Sequence, residues 1–123
     1  MLFAASALAV ISCILVPVDP GSTPPEDWPP LSVAVHVKPP DFAQRCRTAS
    51  HIVPVAGCAV LDFEKRTCDI QLRFASDALL RHERRHCDGY DDAGETRVRD
   101  GWDRYKLGLA RRDAALRELT TAP

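Results

Sequence analysis

No lysine or arginine precedes Lys38, methionine occurs only as Met1, and no two of the five cysteines stand in a C-x-x-C pair. The first absence removes the positive n-region of an ordinary export signal, and the third removes zinc clusters built on close cysteine pairs. Glycine-rich phosphate loops, serine-triad signatures and internal repeats are missing too, which sets aside phosphate-loop enzymes, serine hydrolases and solenoids. An excess of charge of either sign is missing as well. The net charge is -1, and Arg111, Arg112 and Arg117 are interleaved with acids, so nothing resembles the basic patch of a nucleic-acid-binding protein.

What is present begins with a nearly unbroken apolar run from Leu2 to Val18, followed by Asp19, Pro20 and Gly21. That is the length of a secretory h-region and short for a membrane span. The run reads as a cleaved signal, an uncleaved anchor or, because Val10-Ile11-Ser12-Cys13 resembles a lipoprotein cleavage box, a leader acylated at Cys13. Membrane contact is expected only through this segment. Residues 17 to 30 hold six of the ten prolines, a composition that favours an extended, poorly packing spacer. The expected organisation is a leader or anchor over 1–18, a Pro-rich linker over 19–30 and one small domain over 31–119. Such a chain belongs outside the cytosol, in a periplasm or a secretion.

The chemistry sits in His82-Glu83-Arg84-Arg85-His86, an H-E-x-x-H run followed by Gly89 and Asp92. With this chain's content of His and Glu, one such run arises by chance about once in two hundred sequences. Two histidines four apart stand one above the other on a helix and can both reach one zinc ion, at about 2.0–2.1 Å from each nitrogen. The glutamate between them can take a proton from a water on the metal without ligating it. Helical geometry sharpens this. With His82 at zero, His86 falls at about 40°, Leu79 at about 60°, Glu83 at about 100° and Cys87 at about 140°, while Arg81, Arg84 and Arg85 crowd the opposite sector. Both histidines then lie on the border between an apolar and a solvated face, and Glu83 leans to the apolar side. Ser76 or Asp77 can cap this helix, and Gly89 lies where a residue tolerant of positive φ turns it off. A turn there brings Tyr90, Asp91 and Asp92 back toward the histidines. Asp88, Asp91, Asp92 and Glu95 are all carboxylates within reach, and the spacing favours Asp92.

H-E-x-x-H-x-x-G-x-x-D, here His82, Glu83, His86, Gly89 and Asp92, resembles the zinc-binding consensus of metzincin-like zincins, in the variant with aspartate as third ligand found in snapalysin-type small metalloproteases. Cys58-Ala59, Cys68-Asp69-Ile70 and His86-Cys87-Asp88-Gly89 are likewise similar to short exported bacterial proteins described as metallopeptidases. The resemblance covers about residues 58 to 92. It implies His82, His86 and Asp92 as zinc ligands and Glu83 as general base. Metzincins also carry a methionine-containing turn beneath the metal, and this chain has no methionine after Met1. Either another residue underlies the site, such as Leu107 or Leu109, or the element is absent.

Around the motif the pattern predicts an α+β domain. Leu31 to Val37, His51 to Phe63 and Cys68 to Phe74 suggest a small antiparallel sheet before the zinc helix, and Glu95 to Leu119 suggests a C-terminal amphipathic helix. That helix carries a broken stripe of Val98, Trp102, Tyr105, Leu109, Leu116 and Leu119, expected to pack on the sheet or the zinc helix. Cys46, Cys58, Cys68 and Cys87 form an even set that allows two disulfides in an oxidising compartment. A hairpin over 58–74, turning near Asp62 to Lys65, suggests Cys58 with Cys68 and leaves Cys46 for Cys87. In zincins an edge strand pairs with the substrate backbone, and Cys68 to Phe74 is the candidate here.

The expected activity is hydrolysis of a peptide or protein substrate, with zinc polarising the scissile carbonyl and Glu83 moving the proton. Tyr90, Tyr105 or His51 is a candidate support for the oxyanion. A peptidoglycan amidase would share this chemistry. The competing class is an exported binding or assembly protein whose metal is structural or lost; a structural zinc is closed by four protein ligands, whereas a catalytic one keeps an open position.

Overall fold

The computed structural model describes residues 23–47 and 55–121. The apolar leader, Cys13 and His51 lie outside the described residues. Three strands, β1 (Ser32–Val37), β2 (Gly57–Asp62) and β3 (Thr67–Leu72), combine with helices α1 (Phe42–Arg45), α2 (Asp77–Cys87) and α3 (Arg97–Thr121) in an α+β fold stapled by two disulfides. No helix among the described residues is long and apolar enough to cross a membrane.

Local chemistry sets the strand ends. β1 stops where Lys38 takes a φ of 51° and Pro39-Pro40 follows, since two successive prolines supply no ladder donors. The β2–β3 hairpin turns on Asp62, whose Oδ1 accepts a hydrogen bond from the Lys65 amide at 3.0 Å, and on Arg66 in the left-handed region at φ 58°. The expected hairpin is therefore present, with its turn where the sequence placed it.

The sheet order is β1-β3-β2, with β2 antiparallel to β3 and β1 parallel to it. The expected all-antiparallel sheet is thus corrected to a mixed one. A parallel neighbour needs a long connection, and the chain between β1 and β3 provides it through α1 and β2. The same order corrects the edge assignment. The strand beginning at Cys68 is central, hydrogen-bonded on both sides, and the free edges belong to β1 and β2.

Period-two alternation divides β3 between two layers. Cys68, Ile70 and Leu72 are nearly inaccessible and pack with Leu79 and Cys87 of α2. Cys58 lies opposite Gln71 on the other face, where it meets Phe42 and Cys46 beside α1. Register therefore decides the disulfides. Cys58 pairs with Gln71 and Cys68 with Leu61, so the two cysteines stand three positions apart on opposite faces and cannot bond. The bonds are Cys46–Cys58 and Cys68–Cys87, not the expected Cys58–Cys68 and Cys46–Cys87. Two closed disulfides are the pattern of an oxidising environment.

Residues 23–30 depart from a loose spacer. Asp27 accepts hydrogen bonds from Trp102 Nε1 at 3.0 Å and Lys106 Nζ at 2.7 Å, and Arg99 Nη2 donates to the Thr23 carbonyl at 3.0 Å. Trp28 meets Phe63 edge to face at 5.4 Å and Trp102 at 6.0 Å. The expected helical stripe is consequently used only in part. Trp102 is buried in this aromatic cluster, and Tyr105 packs on Phe63 and Trp102, but Leu116 and Leu119 are 55% and 75% exposed. The partner of α3 is the hairpin tip and the Thr23–Pro30 strap, because the faces of the sheet are already taken by α1 and α2.

Candidate metal centre

α2 starts where Ser76, in extended conformation, accepts a hydrogen bond from the Leu79 amide through its side chain. Leu79, Glu83 and Cys87, four apart, are the buried residues of the helix, so one stripe faces the sheet. Glu83 is only 6% exposed, as expected for a side chain on the apolar sector. His82 and His86 flank this stripe, with side chains 15% and 12% exposed. That is the border position the helical wheel places them in.

Gly89 ends the helix in a Schellman motif. Its φ is 98°, its amide donates to the His86 carbonyl at 3.1 Å, and the Tyr90 amide donates to the Arg85 carbonyl at 3.1 Å. The reversal has two products. The Tyr90 carbonyl comes within 2.7 Å of His86 Nδ1, and accepting that ring proton leaves Nε2 of a neutral imidazole bare. Asp92 arrives with Oδ1 at 3.0 Å from His82 Nε2 and 3.2 Å from His86 Nε2.

Of the four carboxylates in reach of the turn, Asp92 is the one that joins the histidines. Asp91 points into the start of α3, where Oδ1 accepts from the Val98 amide at 2.7 Å and Oδ2 from the Arg99 amide at 3.3 Å. It neutralises the positive end of that helix and is 5% exposed. Asp88 is the exposed C-cap of α2, and Glu95 is exposed with its carboxylate 3.9 Å from Arg97. Of the oxyanion candidates, Tyr90 stacks its ring against the Arg85 guanidinium at 4.6 Å, and Tyr105 belongs to the aromatic cluster.

His82, His86 and Asp92 form a group able to hold a metal ion, their ligand atoms all within 4.8 Å of one another. Tetrahedral zinc with bonds of 2.0–2.1 Å separates its ligand atoms by about 3.3 Å. The two contacts of Asp92, at 3.0 and 3.2 Å, are somewhat shorter than that separation. Asp92 Oδ1 is moreover buried with no hydrogen bond of acceptable geometry, although two imidazole nitrogens stand beside it. Three ligand groups this close together, with one carboxylate oxygen lacking a hydrogen bond of good geometry, fit a cation.

The sequence gives no sign of two further participants. Trp28 Nε1 donates to the Cys87 carbonyl at 3.0 Å, and its ring lies against Gly89. Asp91 caps a helix that begins six residues later, too far along the chain to be recognised as an N-cap.

Protonation in the metal-free protein follows from this crowding. Burial disfavours the charged form of His86, but the Asp92 carboxylate and the Tyr90 carbonyl outweigh it and raise its pKa to about 9. Burial also opposes the Asp92 carboxylate, and the two histidines overcome it and hold its pKa below the usual carboxylate range. For Glu83 burial wins, raising the pKa against the pull of His86 and His82. A raised His86 pKa stabilises the fold below its unfolded value near 6.5, and that contribution is lost as pH rises through about 9. Glu83, whose pKa is also raised, contributes stability that is fully present below its unfolded value near 4.5 and is lost as pH rises through the folded value. In EDTA, stability should therefore fall by up to about 3 kcal/mol between pH 6.5 and 9.5. Urea midpoints measured across that range test this, and a flat profile would contradict the His86–Asp92 pairing.

No family model, curated protein or solved structure matches this chain. Its functional reading therefore stands on the site itself.

Proposed function

We propose that the chain is a small zinc-dependent hydrolase of the zincin type, acting on peptide or protein substrates outside the cytosol. The observation that carries this reading is the convergence of His82, His86 and the otherwise unpartnered Asp92 Oδ1 beside buried Glu83. Two imidazoles and one carboxylate are a borderline nitrogen and oxygen set suited to zinc. When bound, zinc supplies Lewis acidity toward a scissile carbonyl and lowers the pKa of water toward ~7.

The protein's own groups do the rest. Glu83, held in place by its buried position on α2, takes the proton of the attacking water and returns it to the departing amine. In the metal-free protein burial raises its pKa, and a bound cation beside it would favour the ionised, basic form. Tyr90 contributes through its backbone, fixing the tautomer of His86. A substrate strand could pair only with a free sheet edge; α2 packs over β2 and β3, which makes the β2 edge the candidate in place of the central strand.

Among the described residues the group has three protein ligands, which favours catalysis over a structural zinc closed by four. The disulfides and the apolar Leu2–Val18 run support an exported location. The test is direct. The purified oxidised protein should bind one zinc per chain and cleave members of a broad peptide library, with both properties lost in Asp92→Ala. Absence of zinc binding would remove the ligand assignment; zinc without cleavage of any peptide would leave only a binding role.

A further inference from the structure

The turn from Cys87 to Asp92 carries the third ligand, and it is short and bent at a positive-φ glycine. Something must hold it against fraying, because the last carbonyls of α2 lack partners within the helix. Two of them are taken by the Schellman amides. The Cys87 carbonyl is taken instead by Trp28 Nε1–H, a donor that can only donate. The indole also lies directly on Gly89: a Cβ there would stand 2.8 Å from Trp28 Cδ2 and 3.0 Å from Pro24 Cβ.

Trp28 is itself fixed from behind. Its amide donates to the Pro25 carbonyl at 3.0 Å, and its ring is wedged between Phe63 and Trp102. The adjacent Asp27 bridges Trp102 and Lys106, tying the strap to the helix that Asp91 caps. The ligand turn is thus gripped on one side by the start of α3 and on the other by an indole from upstream of the sheet.

We propose that Trp28 is a positioning residue for the metal site: packed beneath Gly89 and bonded to the Cys87 carbonyl, it sets where Asp92 stands relative to His82 and His86. Leu107, one of the two residues considered to underlie the metal, is half exposed. The inference rests on the reading of this site as a metal site. Groups that orient ligands from outside the coordination sphere typically change metal affinity by 10–100-fold.

The experiment compares full-length wild type with Trp28→Ala and Trp28→Phe, all with disulfides intact. Zinc dissociation constants come from competition with a chromophoric chelator, the visible spectrum of the cobalt(II) form reports ligand geometry, and circular dichroism in EDTA reports folding. Trp28→Ala should remain folded, bind zinc at least about 10-fold more weakly and shift the cobalt bands. If Trp28→Ala does not fold, Trp28→Phe decides, since it keeps a ring on Gly89 and loses the N–H; a threefold or greater loss is expected. Folded variants with wild-type zinc affinity and an unchanged cobalt spectrum would overturn the proposal and make Trp28 packing alone. A wild type that binds no zinc would instead overturn the metal reading beneath it.

Discussion

Glu83→Gln should bind one zinc as tightly as wild type within a few fold, yet hydrolyse peptides about 10²–10⁴ times more slowly. The amide nearly matches the carboxylate in size and removes its basicity, so it separates holding the ion from moving the proton. Retention of metal is expected because Glu83 is not among the groups whose atoms converge; those are His82, His86 and Asp92. Stability in EDTA should hold or rise slightly, since burial raises the pKa of this carboxyl and a neutral amide avoids burying a charge. Peptide turnover, zinc content and urea midpoint measured on one preparation give three independent readings. Activity equal to wild type would show that the chemistry does not run through Glu83, and a loss of zinc in parallel with activity would make it a ligand or a structural support.

The second large effect concerns the Cys68–Cys87 bond. Replacing both cysteines with alanine should cost about 3 kcal/mol, the chain-entropy value for a loop of this size, plus a smaller amount for lost core packing. The bond spans 19 residues and joins the central strand to the last turn of α2, one residue beyond His86. Both cysteines are nearly inaccessible, at 0% and 3% exposure, within the cluster of Ile70, Leu72 and Leu79. Removing the bond should therefore also loosen His86 and weaken zinc binding. Cys46–Cys58 closes a loop of only 12 residues on the opposite face, and removing it should leave zinc affinity close to wild type. Thermal or urea unfolding and zinc competition on the two double variants check both parts. Equal effects on zinc would mean that the staples act on the whole domain rather than on the metal helix.

How much of this was legible in the sequence depended on whether the signal was local. α2 was, because capping at Ser76, the buried spacing of Leu79, Glu83 and Cys87, and the reversal at Gly89 are all set within a dozen residues. The convergence of Asp92 on the histidines was legible for the same reason. β1 and the hairpin followed from alternation and turn residues. The disulfides did not, because pairing depends on register across the hairpin, and a shift of one position exchanges the faces. The direction of β1 relative to β3 was hidden in the same way, since alternation is identical in parallel and antiparallel ladders. Trp28 was least accessible of all. Prolines on either side suggest an extended chain, and nothing local reveals that the segment turns at residues 26–27 and is pressed onto a second turn some sixty residues away.

The disulfide pattern has one more consequence. Each bond joins cysteines consecutive among the four, Cys46 with Cys58 and Cys68 with Cys87, and neither loop encloses the other. Four cysteines allow three pairings, and with Cys13 taking no part this is the one reached when the remaining thiols are oxidised in the order in which they appear. A chain emerging amino end first could close its first loop before Cys68 was exposed, then its second, with no mispaired intermediate to undo. In a chain exported amino end first, as proposed, this pattern needs no thiol exchange, and the histidine helix is locked at the last oxidation.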